Sequence, residues 1–157
     1  MEDVENNENL EGSIEDFETL NHREIPENVD WFLVEGILDF AELDTNIPIT
    51  ININGMVVSG VSISAREYLE GMRGVMRSMF GEKNEKIVDM VIDGSLEVYP
   101  TRDELLRKGH ISRGYLHLKD AQYFSGGQPI PTEGGVLWRG KLASIDGFSW
   151  GQFKTGK

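Results

Sequence analysis

Apolar and polar residues alternate from Ile49 to Ile53, with Ile49, Ile51 and Ile53 on one side and Thr50 and Asn52 on the other. That period of two predicts a half-buried strand. Asn54-Gly55 follows, a pair tolerant of positive φ and the strongest short-range signal for a tight hairpin. The return strand carries Val57, Val58, Val61 and Ile63 and is broken by Gly60, where a strand can bend. A second segment, from Tyr115 to Phe148, reads in the same way, with Leu116–Ala121 as one strand and Arg139-Gly140 as the break in another. Between and before these segments the period changes to that of helices. Trp31, Phe32, Val34, Ile37, Leu38 and Ala41 predict a helix over 30–42, capped by Asp30 and weakened by Gly36. Asn46-Ile47-Pro48 ends it.

After Ile63 the chain carries its own helix-start signal, Ser64 with Glu67 three residues on. Tyr68, Leu69, Met72, Val75, Met76, Met79 and Phe80 then fall at steps of three and four on one helical face. Gly71 and Gly74 each cost such a helix about 1 kcal/mol relative to Ala, so packing has to support it. In 84–98, with Ile87, Val88, Val91, Ile92, Leu96 and Val98, the pattern predicts helix for the first half. Thr101 with Glu104 opens a short helix over 102–108 that Gly109 stops. Gly126-Gly127 and Pro129-x-Pro131 predict an exposed loop, and Gly134-Gly135 lead into the next strand.

Charge divides the chain in two. Of 27 acids and 15 bases, the first thirty residues hold eleven acids against Arg23 alone, −10. Sixteen acids against fourteen bases leave −2 for the remainder. Residues 1–28 therefore read as a disordered acidic tail and 29–157 as a single domain. The tail either solubilises the protein or presents a short helix around Ile14–Leu20 to a basic partner. An acidic surface repels nucleic acid and anionic lipid. Cysteine is absent, which excludes disulfides and thiolate metal sites and fits a reducing compartment. No apolar run reaches the ~18 residues of a membrane span, and no basic-then-apolar leader opens the sequence, so a non-secreted protein with no membrane partner is expected.

Candidate chemistry is sparse. His22, His110 and His117 are dispersed and match no metal-ligand spacing. Asp120 and Asp146 fall at expected strand ends, where carboxylates accept turn hydrogen bonds more often than they act as an acid and base pair. Ser59, Ser62 and Ser64 lack a nucleophile elbow, and Gly134-Gly135 is not a phosphate loop. No catalytic residue, cofactor or metal site is assigned. Two groups invite a partner-binding reading instead. Met72, Met76 and Met79 either pack a helix onto the sheet or form an adaptable contact face. Trp138 alternates into the core, whereas Trp150 and Phe153 lie beyond the last strand and read as exposed anchors.

Ile49–Ser64 and Tyr115–Phe148 resemble the two halves of Sm and Sm-like proteins. Ile49, Ile51, Ile53, Asn54-Gly55 and Gly60 match the first half, and Trp138, Arg139-Gly140, Leu142 and Ile145 the second. The resemblance implies an α+β fold: a small, strongly bent five-stranded Sm-like β-barrel with an N-terminal helix. A helical insertion at about 65–113 would lie between strands 2 and 3. In an RNA-binding Sm-like protein Arg139 would stack on a base and Gly140 would let the backbone approach. Arg66 and His117 stand where such proteins carry an acid and an Asn, and the chain is acidic, so no nucleic acid is expected and an Sm-like RNA-binding module is the alternative reading only. From Trp31 to Trp150 the chain is also similar to gas vesicle accessory proteins of the GvpU type, most closely in Leu116–Ala121 and Leu137–Phe148. That likeness implies a cytoplasmic, non-enzymatic protein associated with gas vesicles. It would support their assembly, organisation or clustering by contacting the vesicle shell or other gas vesicle proteins. Open strand edges add the expectation of a homo-oligomer.

Overall fold

The computed structural model describes residues 27–108 and 114–153. The expectations placed on the acidic tail before Glu27, on Gly109, and on His22 and His110 lie outside them. Helix α1 covers residues 31–42: Trp31–Leu33 and Asp39–Glu42 are α-helical and flank a π-helical turn, Val34–Leu38. The Asp30 carboxylate accepts a 2.8 Å hydrogen bond from the Phe32 amide and caps it, as the sequence predicts. Leu33, Val34, Ile37, Leu38 and Ala41 are its buried stripe. Their spacing leaves Trp31 and Phe32 off that stripe, and both are exposed rather than buried.

The hairpin forms in the expected register. Strands β1 (Pro48–Ile53) and β2 (Met56–Ile63) pair antiparallel with Ile53 opposite Met56. Asn54 and Gly55 take φ of 52° and 76° between them, the twist-matched two-residue turn. β2 then pairs with β3 (Tyr115–Ser125), and the register slips between Ser59 and Val61. Gly60 lies at that slip because a Cβ there would stand 3.0 Å from the Lys119 carbonyl oxygen and 3.1 Å from Ala121 Cα. Across from it, Asp120 adopts φ 50°, and β3 bends.

The bend lets one edge of β3 serve two strands. β5 (Val136–Lys141) pairs with its first half and β4 (Gln128–Ile130) with its end. The expected loop at Gly126-Gly127 and Pro129-x-Pro131 is corrected here. The two glycines, both at positive φ, make a tight turn, and residues 128–130 return as a strand. β6 (Ile145–Trp150) pairs with the far side of β1.

The sheet therefore has six antiparallel strands rather than five, and it does not close. The ladder runs β5-β3-β2-β1-β6, with β4 sharing the β3 edge, and no pairing joins β5 to β6 among the described residues. The sheet is nevertheless strongly curled. Laid flat, five strands would separate its outer two by about 19 Å, yet β5 passes to β6 through the single 3₁₀ turn Leu142–Ser144. That connection reaches about 14 Å at most. Inside the curl Ile49, Ile51, Val58, Leu116, Leu118, Ala121, Trp138 and Leu142 form one core with α1.

The insertion between β2 and β3 is helical, as expected. α2 (Ala65–Phe80) starts where the Ser64 hydroxyl accepts from the Glu67 amide at 3.1 Å. α3 (Glu85–Val98) is helical throughout, beyond the half that periodicity predicts. The two pair through Leu69, Val88 and Ile92, with Tyr68, Met72, Met76 and Leu96 around them. α4 (Arg102–Lys108) begins at the Thr101–Glu104 capping box and buries Leu105 against Leu43.

Candidate protein-contact surface

The C-terminal segment is strapped across the outer face of the sheet by buried hydroxyls. Thr50 Oγ1 and Ser59 Oγ, paired across β1 and β2, lie 2.9 Å apart. Ser59 Oγ accepts from the Phe153 amide at 2.7 Å, and Thr50 Oγ1 donates to the Gly151 carbonyl at 2.8 Å. Gln152 Nε2 donates to the Asp120 carbonyl at 3.1 Å. A polar pair on a strand face is thus satisfied by the strap rather than by water, and Phe153 is carried onto Phe124 with ring centroids 5.5 Å apart.

On the opposite, helix-bearing face β6 meets α1 in a row of aromatic rings. Phe32 stacks on Phe148 at 6.1 Å and 28°, meets Trp150 edge-on at 6.3 Å, and touches Trp31 at 5.5 Å. These spacings are those of attractive aromatic pairs. Gly36, in the π-turn, gives the Trp150 ring its seat: a Cβ there would stand 3.5 Å from it. Trp31, Phe32, Trp150 and Phe153 still keep 60, 45, 53 and 50% of their surface in contact with solvent. On the outer face, beside Phe153, a groove of about 260 Å³ lies between Thr50, Asn52, Val57 and Ser149. The sequence singles out Trp150 and Phe153, but Trp150 is the last residue of β6, paired with Ile49, and only Phe153 lies beyond the strand; it does not single out the exposed Trp31 and Phe32 as contacts.

The methionines are divided. Met72 and Met76 are half-buried between α2 and α3, not against the sheet, whereas Met79 is exposed near the end of α2. Trp138 is in the core, and Gly140 is required beside it because a Cβ would run into the indole ring. Arg139 lies over the Tyr115 ring, 4.1 Å from its centroid, and donates to the Tyr99 hydroxyl at 3.0 Å. Its guanidinium thus already stacks on an aromatic ring of the chain.

The titratable groups singled out in the sequence serve the fold. Asp146, at the start of β6, accepts from the Asn54 amide at 2.8 Å through Oδ2 and holds the hairpin turn, as a strand-end carboxylate is expected to do, whereas Asp120 lies inside β3 and not at its end. The Ser62 hydroxyl accepts from Ile47 at 3.0 Å. His117 is buried with neither ring nitrogen hydrogen-bonded and packs on Tyr68, centroids 4.8 Å apart. Burial, with a smaller contribution from Arg139, pulls its imidazole down to about 4. Glu42, missed in the sequence, is buried at the end of α1 and accepts from the Ala65 amide at 3.0 Å. Burial pushes its carboxyl up to about 7; the Ala65 hydrogen bond opposes the rise, and Asp39 and Asp44 add to it. It borders a charged cleft of about 330 Å³ with Arg66, Glu67, Glu70 and Arg102. No group of three or more His, Asp or Glu suited to a metal occurs among the described residues.

These features define an α+β class in which a curled antiparallel sheet carries a helical hairpin and an exposed aromatic surface. The chain matches the family model described as gas vesicle protein GvpU-like over residues 30–153, and it belongs to that family. No curated protein and no solved structure shows a significant match. No helix among the described residues is long and apolar enough to cross a membrane.

Proposed function

We propose that this protein is a cytoplasmic gas vesicle accessory factor. It supports vesicle assembly, organisation or clustering through protein contacts and self-association and carries out no chemical step. The aromatic row on α1 and β6 carries this reading. Three large rings of that row, Trp31, Phe32 and Trp150, stand about half in solvent and are held by a helix and a sheet, and rigid aromatic anchors are what dominate protein interfaces. Their partner is the vesicle shell or another gas vesicle protein. The curled sheet is read as an opened relative of the Sm-like barrel whose β5 and β6 edges are free to pair. Flotation of purified gas vesicles, stripped of loosely bound protein, with the full chain tests the proposal. The wild type floats with the vesicles, and Phe32→Ala or Trp150→Ala weakens retention about tenfold or more, the effect of losing an interface anchor. A wild type that stays in the subnatant, or folded aromatic variants that float as well as it does, would overturn it.

A further inference from the structure

The hairpin of α2 and α3 has two unlike sides. On one, Arg73 reaches Glu70, Asp89 and Asp93 at 3.0, 2.9 and 2.6 Å, and Arg77 grips Asp89 with one nitrogen at 2.6 and 2.7 Å. Those guanidinium groups, Arg77 foremost, hold the Asp89 carboxyl below its usual range. The other side is apolar and bare. Ile87, Val91, Gly94 and Val98 follow one another at steps of four, three and four along α3, the spacing of a helix–helix seam. Ile87, Val91 and Val98 are 57, 46 and 73% exposed, and Met90 on the same helix is 68% exposed. A Cβ on Gly94 would meet nothing within 4 Å, so a second backbone has room to approach there.

We infer that this seam is where a second copy of the chain pairs, α3 against α3, antiparallel about a two-fold axis. Charge selects both the occupant and its direction. Lys86 at the start of α3 and Glu97 near its end flank the seam on the side of Met90, eleven residues apart, and no ion pair within the chain engages either among the described residues. An antiparallel copy keeps the two charged flanks on one side of the seam and brings Lys86 of each chain towards Glu97 of the other, twice by symmetry; a parallel copy puts the flanks on opposite sides, where these pairs do not form. Ile87 then lies opposite Val98 and Val91 opposite Gly94, large against small. The seam runs along nearly the whole of α3, and the stems of Lys86 and Glu97 extend its apolar contact towards the ~800 Å² per partner of a standard interface. The pairing gives the self-association proposed above a surface distinct from the aromatic row, and it does not depend on vesicle binding.

Sedimentation equilibrium of the full chain at 0.15 M salt, without vesicles, tests it. The wild type dimerises with a micromolar dissociation constant. Lys86→Glu weakens the dimer about tenfold or more, because two exposed attractions become repulsions. Adding Glu97→Lys to that variant restores affinity to within about threefold, which loss of folding could not do. Val91→Glu, an exposed change, gives monomers and yet floats with vesicles as the wild type does. A strict monomer at about 200 µM overturns the proposal and leaves the seam to a vesicle protein or to the first residues of the chain. A dimer indifferent to Val91→Glu, or a charge swap without rescue, overturns it as well. Loss of vesicle flotation with an intact dimer would count against the function proposed above and leave this pairing standing.

Discussion

Glu42 carries a buried carboxyl from the end of α1 to the first amide of α2, and His117 buries an imidazole under Tyr68. Their titrations bear on stability in opposite senses. Glu42 binds its proton more tightly in the folded chain, with a pKa of about 7 against 4.5, so its contribution falls as pH rises from about 4.5 to 7. His117 binds its proton less tightly when folded, about 4 against 6.5, so its contribution falls as pH drops from about 6.5 to 4. The two offset each other in the shared range. Glu42→Gln is expected to raise stability at pH 8 by about 1–3 kcal/mol and to expose the His117 slope alone. His117→Phe exposes the Glu42 slope, with stability declining as pH increases. Urea melts across pH 4–8 read both; a Glu42→Gln curve parallel to the wild type would contradict this account. Neither residue was marked for this role by its sequence neighbours, because burial by distant segments is what moves each group.

Helix α2 shows how far local sequence reaches at the scale of one element. Its start at Ser64, its apolar stripe and its two costly glycines are legible without coordinates, but the glycines are not equivalent. Gly74 has nothing within 4 Å of a built Cβ, whereas a Cβ on Gly71 would stand 2.7 Å from Leu137 Cδ1 on β5. Gly74→Ala is therefore expected to stabilise the protein by about 1 kcal/mol, the helix-propensity gain. Gly71→Ala should show little gain or a net loss, because Leu137 must shift. Thermal melts of the two variants decide; equal gains would show that the α2–β5 contact is loose. The hairpin at Asn54-Gly55 was equally legible, since two-residue turn chemistry is local. β4 was not: its Gly and Pro content reads as loop, and only the vacant edge of β3 beyond its bend makes residues 128–130 a strand. The second half of α3 likewise owes its helix to packing of Leu96 and Tyr99 beside α2.

At the scale of the whole molecule, charge and fold divide the labour. The first thirty residues hold −10 and the rest −2, so copies brought together by the seam also bring their acidic segments together. Association should accordingly strengthen as salt rises from about 0.02 M towards 0.15 M, where the Debye length shortens to about 8 Å. Deleting residues 1–28 should flatten that dependence in light scattering. An unchanged salt response in the truncated chain would show that the repulsion lies elsewhere. The attractive Lys86–Glu97 pairs respond to salt in the opposite direction, so Lys86→Glu in the truncated chain separates the two.

The sequence by itself determined the elements whose causes are local: the hairpin turn, the helix caps, the helical insertion, the charge split and the strands that supply the core. It also carried the likeness that the family match over residues 30–153 bears out. Tertiary structure alone decided that the sheet curls without closing, that Arg139 stacks on the chain's own Tyr115, and that Phe32 joins Trp150 in one surface. Each of these depends on segments distant in the chain meeting in space, and no periodicity within one segment encodes such a meeting.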